Sequence, residues 1–292
     1  MRKNKDEFDD DFDEIIEHKK SNPIRTLFFI IILLIALIIV YGIYIGPSGL
    51  SLKTYDIKTS NIPDSFNNFK IVHFSDFHYG NTSNEKELKN LVNKINNTKP
   101  DIVVFTGDLI DQTKIPTEED IKTITELLKQ IDSNYGKYYV TGDHDIKFDG
   151  FDKIMENSDF TSLNDNYDVI YNKNNESIFI SGINYKSTGD YLKKLNFNEL
   201  PQYRIVVMHT PDTIDKVSDL NFDLALAGHS LNGIINIPLY GGLYKVEGAK
   251  NYSLPYYKVD NTEFYISSGI GTSEIKFRLF NRPSFSLYKL KK

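Results

Sequence analysis

Five short apolar segments of the sequence each run into an aspartate or a histidine. Where strands alternate with helices, the sheet is covered on both faces and ligands bind beyond the carboxyl ends of its strands. Polar side chains at these five ends can therefore converge on one site. The segments are Ile71–Phe74 before Asp76 and His78, Val103–Thr106 before Asp108, Tyr138–Thr141 before Asp143, His144 and Asp145, Ile205–Met208 before His209, and Leu224–Ala227 before His229.

Helical periodicity separates these segments. Leu88, Leu91, Val92 and Ile95 recur at the spacing of one helix face, and Asn84 with Glu87 predicts a capping box at the start of that helix. A second apolar stripe runs from residue 121 to 131. The remaining predicted elements are an edge strand at 52–58, a short helix at 151–155, a hairpin pairing 169–171 with 178–181, a short helix near Ile214, and strands at 263–267 and 284–290.

Composition limits the chemistry that these residues can perform. The 292-residue chain contains no cysteine, which excludes disulfides, thiolate zinc sites and cysteine nucleophiles. A metal must be held by oxygen and imidazole nitrogen, which suits manganese, magnesium, iron or zinc. The formal net charge is −6, and no basic stripe is present, so a nucleic-acid partner and a nuclease function are disfavoured. The oligomeric state cannot be predicted from the sequence.

The N-terminal region predicts a membrane anchor. Residues 1–24 are polar and charged and are interpreted as a disordered cytoplasmic tail. Residues 25–46 are predicted to be an uncleaved signal anchor, because residues 26–46 form an uncharged apolar stretch of about 20 residues, long enough to span a bilayer. Lys19, Lys20 and Arg25 precede it, so the positive-inside rule places the following domain, residues 50–292, outside the cytoplasm. The expected localisation is the cell membrane, single-pass, with the bilayer as a partner.

The order of the motifs resembles the calcineurin-like metallophosphoesterase family, in its membrane-anchored bacterial branch. The resemblance covers roughly residues 52–292 and includes Ser268–Thr272 and Asn281-Arg282-Pro283 near the end of the chain. It implies an α/β fold: a sandwich of two mixed sheets flanked by helices, preceded here by one transmembrane helix. It also implies two divalent metal ions as cofactors, with manganese favoured over magnesium, iron or zinc.

The resemblance also assigns roles to residues. It implies that Asp76 and His78 bind the first metal and that Asp108 bridges both. The second metal would be bound by Asp143, His209 and His229. His144 would stand beside the phosphate as an acid or charge stabiliser, and Asp145 would orient its ring. A histidine or aspartate that ends a strand is often only structural, and His73, which lies mid-strand outside the motifs, is interpreted as packed or edge-exposed.

Two positions depart from the family pattern. Asp143 stands where asparagine is usual, and Leu231 stands where a second histidine is usual. The site then gains a carboxylate and loses an imidazole, which favours hard, oxygen-binding ions and a less acidic bridging water. We expect a weakened first metal site and slower hydrolysis. Asn232 or a water molecule is the candidate replacement for the missing ligand.

Two functions therefore remain open. The first is a metal-dependent phosphoesterase that uses metal-activated hydroxide on a phosphodiester, phosphomonoester or pyrophosphate near the membrane, its substrate a small or lipid-linked phosphoester. The second is a catalytically inactive, membrane-tethered domain that binds a metal or a ligand and has a sensing or scaffolding role.

Overall fold

A computed structural model describes residues 22–237, 241–242, 245–273 and 275–292. Most of the tail expected at residues 1–24 lies outside this range. Helix α1, Pro23–Val40, continues as the π-helical segment Tyr41–Ile45, and together they form one run of 23 residues that is long and apolar enough to cross a membrane. Internal contacts divide the chain into two units, Met1–Tyr41 and Gly42–Lys292.

The second unit contains two six-stranded mixed sheets. In the first sheet the strands lie in the order β1-β14-β2-β3-β4-β5. β2 to β5 are parallel, β14 pairs antiparallel with β2, and β1 is an edge strand, as the sequence predicts. The bounds are β1 Ser51–Lys58, β2 Lys70–Phe74, β3 Ile102–Phe105, β4 Gly136–Tyr139, β5 Phe160–Ser162 and β14 Ser284–Lys291.

The second sheet has the order β12-β13-β9-β8-β7-β6. Its four inner strands are parallel, and an antiparallel strand closes each edge. The predicted hairpin is confirmed as β6 with β7. The bounds are β6 Asn166–Tyr171, β7 Ser177–Ile183, β8 Arg204–Met208, β9 Leu224–Ala227, β12 Tyr256–Val259 and β13 Thr262–Ile266, and a separate small ribbon pairs β10 Asn236–Ile237 with β11 Gly241–Gly242.

Alternation along the strands divides the apolar residues among three cores. In β2, Ile71 faces the other sheet, whereas Val72 and Phe74 face the helices. The middle core fills the space between the sheets, and the outer face of the second sheet is covered by short 3₁₀ turns such as Pro211–Lys216. Both faces of each sheet are therefore covered, which explains why the strand sequences are almost continuously apolar. The predicted α/β sandwich of two mixed sheets flanked by helices is confirmed.

Three helices of the second unit pack on the first sheet: α2 Glu85–Thr98, α3 Glu118–Lys129 and α4 Phe151–Asn157. The predicted stripe of α2 is buried. Its capping box is also confirmed, because Asn84 Oδ1 accepts the Lys86 N–H at 2.8 Å and Glu87 Oε2 accepts the Asn84 N–H at 3.2 Å. α2 ends at Lys99, which is left-handed and precedes Pro100. The helix start is thus fixed by side chains of its own first turn.

Replacing Asn84 with alanine tests this start. Asn84→Ala removes the side-chain acceptor of the cap, and we expect the free energy of unfolding to fall by about 1 kcal/mol. The matched control is Asn93→Ala, an exposed position of the same helix without a capping role. Chemical unfolding of the full-length protein in detergent measures both variants. Equal stability of Asn84→Ala and the wild type would contradict the capping role.

Candidate metal centre

The five strand ends meet at one place between the two sheets. β2, β3 and β4 end in register, since Phe74 pairs with Phe105 and Phe105 with Tyr139, so the residues that follow them lie at one edge of the first sheet. β8 and β9 end opposite them in the second sheet. Contact between the sheets is direct, because His209 Nε2 lies 3.4 Å from Asp108 Oδ2. The motifs that the sequence analysis selected therefore converge.

Asp108 lies at the centre of two groups of possible metal ligands. One group consists of Asp108, Asp143, His209 and His229, the other of His78, Asp108 and His144, and within each group one ligand atom per residue lies within 4.8 Å of the others. Asp108 Oδ1 accepts the His144 N–H at 2.9 Å. Its Oδ2 faces rings of both groups. This carboxylate therefore belongs to both groups and lies between them.

Hydrogen bonds fix the rings of the first group. His209 Nδ1 donates to the carbonyl of Thr106 at 2.6 Å, which turns Nε2 toward Asp143 Oδ1 at 2.9 Å. His229 Nε2 donates to the carbonyl of Glu247 at 2.7 Å, which turns Nδ1 toward the same oxygen at 3.0 Å. Such carbonyl partners set the tautomer of metal-binding histidines. One ring nitrogen of each histidine is thus left for a cation.

Beside the second group lies a residue that the sequence analysis missed, Asp111. Its fully buried carboxylate oxygen Oδ2 lies 3.3 Å from His78 Nδ1 and 3.5 Å from His144 Nδ1. His144 Nδ1 also accepts the N–H of Gln112 at 3.1 Å, so in the neutral ring the proton resides on Nε2. The signal for Asp111 is a second carboxylate three residues after Asp108 in the sequence Gly-Asp-Leu-Ile-Asp. Asp111 therefore places a buried carboxylate oxygen beside both rings.

Asp76 is the one expected metal ligand that belongs to neither group. Its two carboxylate oxygens accept the N–H of His229 at 3.0 and 3.1 Å. The side chains of Asp76, Leu231 and Arg278 surround Gly269. A Cβ added at that glycine would lie 2.3 Å from Leu231 Cδ2, 3.0 Å from Asp76 Cβ and 3.4 Å from Arg278 Nη2. Arg278 is fully buried. Asp76 therefore has a backbone donor and lies near a guanidinium.

Asn232, the candidate replacement ligand, and Asp145, the expected partner of the His144 ring, have different surroundings. The side chain of Asn232 is buried, and both of its polar atoms lack hydrogen-bond partners among the described residues. Asp145 was expected to orient His144, but its carboxylate accepts three backbone N–H groups, those of Asp108 at 2.7 Å, Leu109 at 2.8 Å and Gly142 at 3.0 Å. Asp145 therefore holds the loop that carries Asp108 rather than a ring.

Several residues of the same loops have a left-handed backbone. Asp76, His78, Asp108 and His229 all have φ between +52° and +64°, a region that side chains with a Cβ rarely adopt. Gly107, with φ of +95°, has no room for a side chain, because a Cβ there would lie 2.6 Å from Gly142 N and 2.7 Å from His209 Nδ1. Strained residues persist only where the surroundings hold them, and they cluster at functional sites.

The electrostatics of the centre favour positive charge. Among the residues that the structure describes, no lysine or arginine nitrogen lies within 4.0 Å of the carboxylates of Asp76, Asp108, Asp111 or Asp143. Burial alone would lower the pKa of His209, but the charge of Asp108 and bonds to Asp108 and Asp143 raise it well above its usual range. Burial would likewise raise the pKa of Asp143, but the rings of His209 and His229 lower it. Buried carboxylates need such a partner, a proton or a metal ion.

Comparison with known proteins identifies the family. The model of the family described as calcineurin-like phosphoesterase matches residues 69–260. The uncharacterized metallophosphoesterase YkuE of Bacillus subtilis (strain 168) is 30% identical over 256 residues, covering 86% of this chain and 89% of YkuE. A transmembrane protein with metallophosphoesterase domain from Danio rerio is 24% identical over 285 residues, covering 89% of this chain and 62% of that protein. The chain therefore belongs to the calcineurin-like phosphoesterase family.

The role of Asp145 gives a stability prediction. Asp145→Asn replaces a carboxylate oxygen with an NH₂ group that faces backbone donors, and we expect the free energy of unfolding to fall by about 1–3 kcal/mol. Asp149→Asn is the control, since Asp149 is exposed on the same segment. Thermal and chemical unfolding measure both variants in the presence of EDTA, so that metal binding does not contribute. An Asp145→Asn variant as stable as the control would show that the three bonds do not hold this loop.

Proposed function

We propose that the protein is a metal-dependent phosphoesterase that hydrolyses a phosphodiester, phosphomonoester or pyrophosphate. The observation that carries the proposal is the set of buried carboxylates and imidazoles around Asp108 that lacks a lysine or arginine partner in the described part of the chain. Membership of the phosphoesterase family supports the same reaction class. Fold alone would not suffice, because one fold hosts many functions.

The residues fit divalent cations. Ligands 2.0–2.2 Å from one ion lie at most about 4.4 Å apart, so a spread within 4.8 Å needs only a small contraction. Asp143, His209 and His229 would hold one ion, His78 would hold the other, and Asp108 would be shared. When bound, such ions neutralise phosphate oxygens and make water more acidic. The oxygen-rich donor set favours manganese, with magnesium, iron or zinc as alternatives.

We propose that His144 stands beside the phosphate as a charge stabiliser. Its Nδ1 is occupied by the Gln112 N–H, so Nε2 carries the ring proton. Asp111 Oδ2 lies 3.5 Å from Nδ1. In the proposed reaction the His144 Nε2–H donates a hydrogen bond to the oxygen that leaves the phosphate and stabilises the charge that develops there. A preorganised donor of this kind contributes about 10²–10³-fold to a rate.

The first metal site is proposed to be the weaker one. Leu231 offers no ligand atom, and Asp76 accepts a backbone N–H instead of joining either ligand group. Only His78 and the shared Asp108 then remain of the expected first-site ligands, with His144 beside them. Asn232 is buried and unpartnered, which makes its amide oxygen the candidate substitute.

We further propose a membrane location. In this proposal residues 1–24 form a cytoplasmic tail, residues 25–46 span the bilayer once, and residues 50–292 form the extracytoplasmic domain. The apolar run Pro23–Ile45 and the relative from Danio rerio described as a transmembrane protein support an anchor. Because few residues separate the anchor from the domain, a phosphoester at the membrane surface, lipid-linked or small, is the proposed substrate.

Loss of the second histidine also favours a second candidate function. A membrane-tethered domain that binds one cation at Asp143, His209 and His229, without turnover, would have a sensing or scaffolding role. The position of Asp76 outside both groups supports this alternative. The two functions differ in catalysis, which the next experiment measures.

Hydrolysis of bis-p-nitrophenyl phosphate by the full-length protein with added Mn²⁺ tests the enzyme. We expect Asp108→Asn to abolish activity, at least about 10³-fold, because it weakens the shared ligand of both cations. The exposed Asp219→Asn is the control and should retain wild-type turnover. No turnover by the wild type with any of Mn²⁺, Mg²⁺, Fe²⁺ or Zn²⁺ on diester or monoester substrates would favour the scaffold.

Metal counting tests the weakened site. We expect the purified wild-type protein to retain about one tightly bound ion per chain. Leu231→His should retain closer to two, since this variant restores the imidazole that the family pattern has at this position. Elemental analysis after dialysis measures the stoichiometry. Leu231→Met, which conserves side-chain volume without adding a strong ligand, is the control. Two tightly held ions in the wild type would contradict the proposal.

A further inference from the structure

A cleft of about 640 Å³ lies apart from the metal centre, and none of its lining residues belongs to either ligand group. The walls come from the segment after the apolar helix, from the start of α2, and from the segment that precedes β14. The residues that define its character are Ile43, Tyr44, Leu50, Ile270, Lys86 and Lys276.

The cleft is amphipathic. Ile43, Leu50 and Ile270 form an apolar wall, and Ile43 and Tyr44 remain 40% and 72% exposed. Lys276 Nζ lies 3.7 Å from Glu87 Oε1, so that lysine is partly neutralised. Lys86 is exposed and has no ion-pair partner among the residues that the structure describes. The cleft therefore offers an apolar wall and one unpaired positive charge.

The cleft is polar at one end and apolar at the other. A second cleft, of about 740 Å³, shares Lys86 and Asn90 with the first but is lined otherwise by polar residues of α2 and by Tyr79. The polar side thus lies at Lys86. The apolar side lies at Ile43 and Leu50, which belong to the chain at and just beyond the candidate membrane span Pro23–Ile45. Apolar surface that begins at the end of such a span is at the level of the lipid headgroups and upper acyl chains.

We propose that this cleft binds one anionic phospholipid from the bilayer, with the headgroup phosphate at Lys86 and the upper acyl chain against Ile43, Leu50 and Ile270. The proposal rests on the membrane anchoring proposed above and not on phosphoester hydrolysis. The bound lipid is a ligand of the domain, not its substrate. A phospholipid has the two properties that the cleft has, an anionic end and an apolar end, and the bilayer supplies it at high local concentration.

Titration of the full-length protein in mild detergent with dioleoylphosphatidylglycerol, followed by native mass spectrometry, tests the proposal. We expect one retained lipid per chain, and Lys86→Glu should lower the affinity by about thirtyfold, because it removes one attractive charge and adds a repulsive one. Lys89→Glu is the matched control, since Lys89 lies on the same helix but does not line this cleft. An acidic residue suits the first turn of a helix, so Lys86→Glu should fold normally.

Four further measurements decide the outcome. Asn90→Trp should block the cleft by size and also abolish lipid retention, whereas Asp108→Asn should retain the lipid while losing any hydrolysis. Equal retention of dioleoylphosphatidylcholine would overturn recognition of the anionic headgroup. Displacement of the lipid by millimolar inorganic phosphate would show a site for free anions instead. Unchanged lipid binding in both Lys86→Glu and Asn90→Trp would place the lipid elsewhere and refute the proposal.

Discussion

The structure depends on buried carboxylates at the place where the two sheets meet. Asp108 follows a strand of the first sheet and His209 follows a strand of the second, and their side chains meet at 3.4 Å. Carboxylates buried without a lysine or arginine partner are costly, and the cost is offset when imidazolium or a metal ion supplies positive charge or when the carboxylate takes up a proton. The charged residues of the centre therefore also form a contact that holds the two sheets together.

The part of this arrangement that the sequence could predict is the part that depends on strand direction. Asp76, Asp108 and His229 each follow an apolar strand, and parallel strands bring their carboxyl ends to one edge whatever their exact register. The capping box of α2 is equally local, because Asn84 and Glu87 lie within one turn. Such features need only the spacing of residues that are close in the chain.

Contacts that depend on how loops turn could not be predicted. Asp111 reaches two rings only because the loop after Asp108 folds back over them, and His229 finds its acceptor 18 residues away at Glu247. The role expected of Asp145 shows the same limit. Adjacency to His144 in sequence suggested a contact with the ring, whereas the carboxylate serves backbone donors on a neighbouring loop. Tertiary geometry, not residue type, decides these partners.

Asp76 lies outside both ligand groups and has other partners. Its carboxylate accepts the His229 N–H, and it lies near Leu231 and the buried Arg278. Burial raises the pKa of Asp76, so a proton can also neutralise it. Asp143, in contrast, lies against two histidines and has a lowered pKa, so it stays charged. This charged carboxylate supports the proposal that a cation binds at Asp143, His209 and His229.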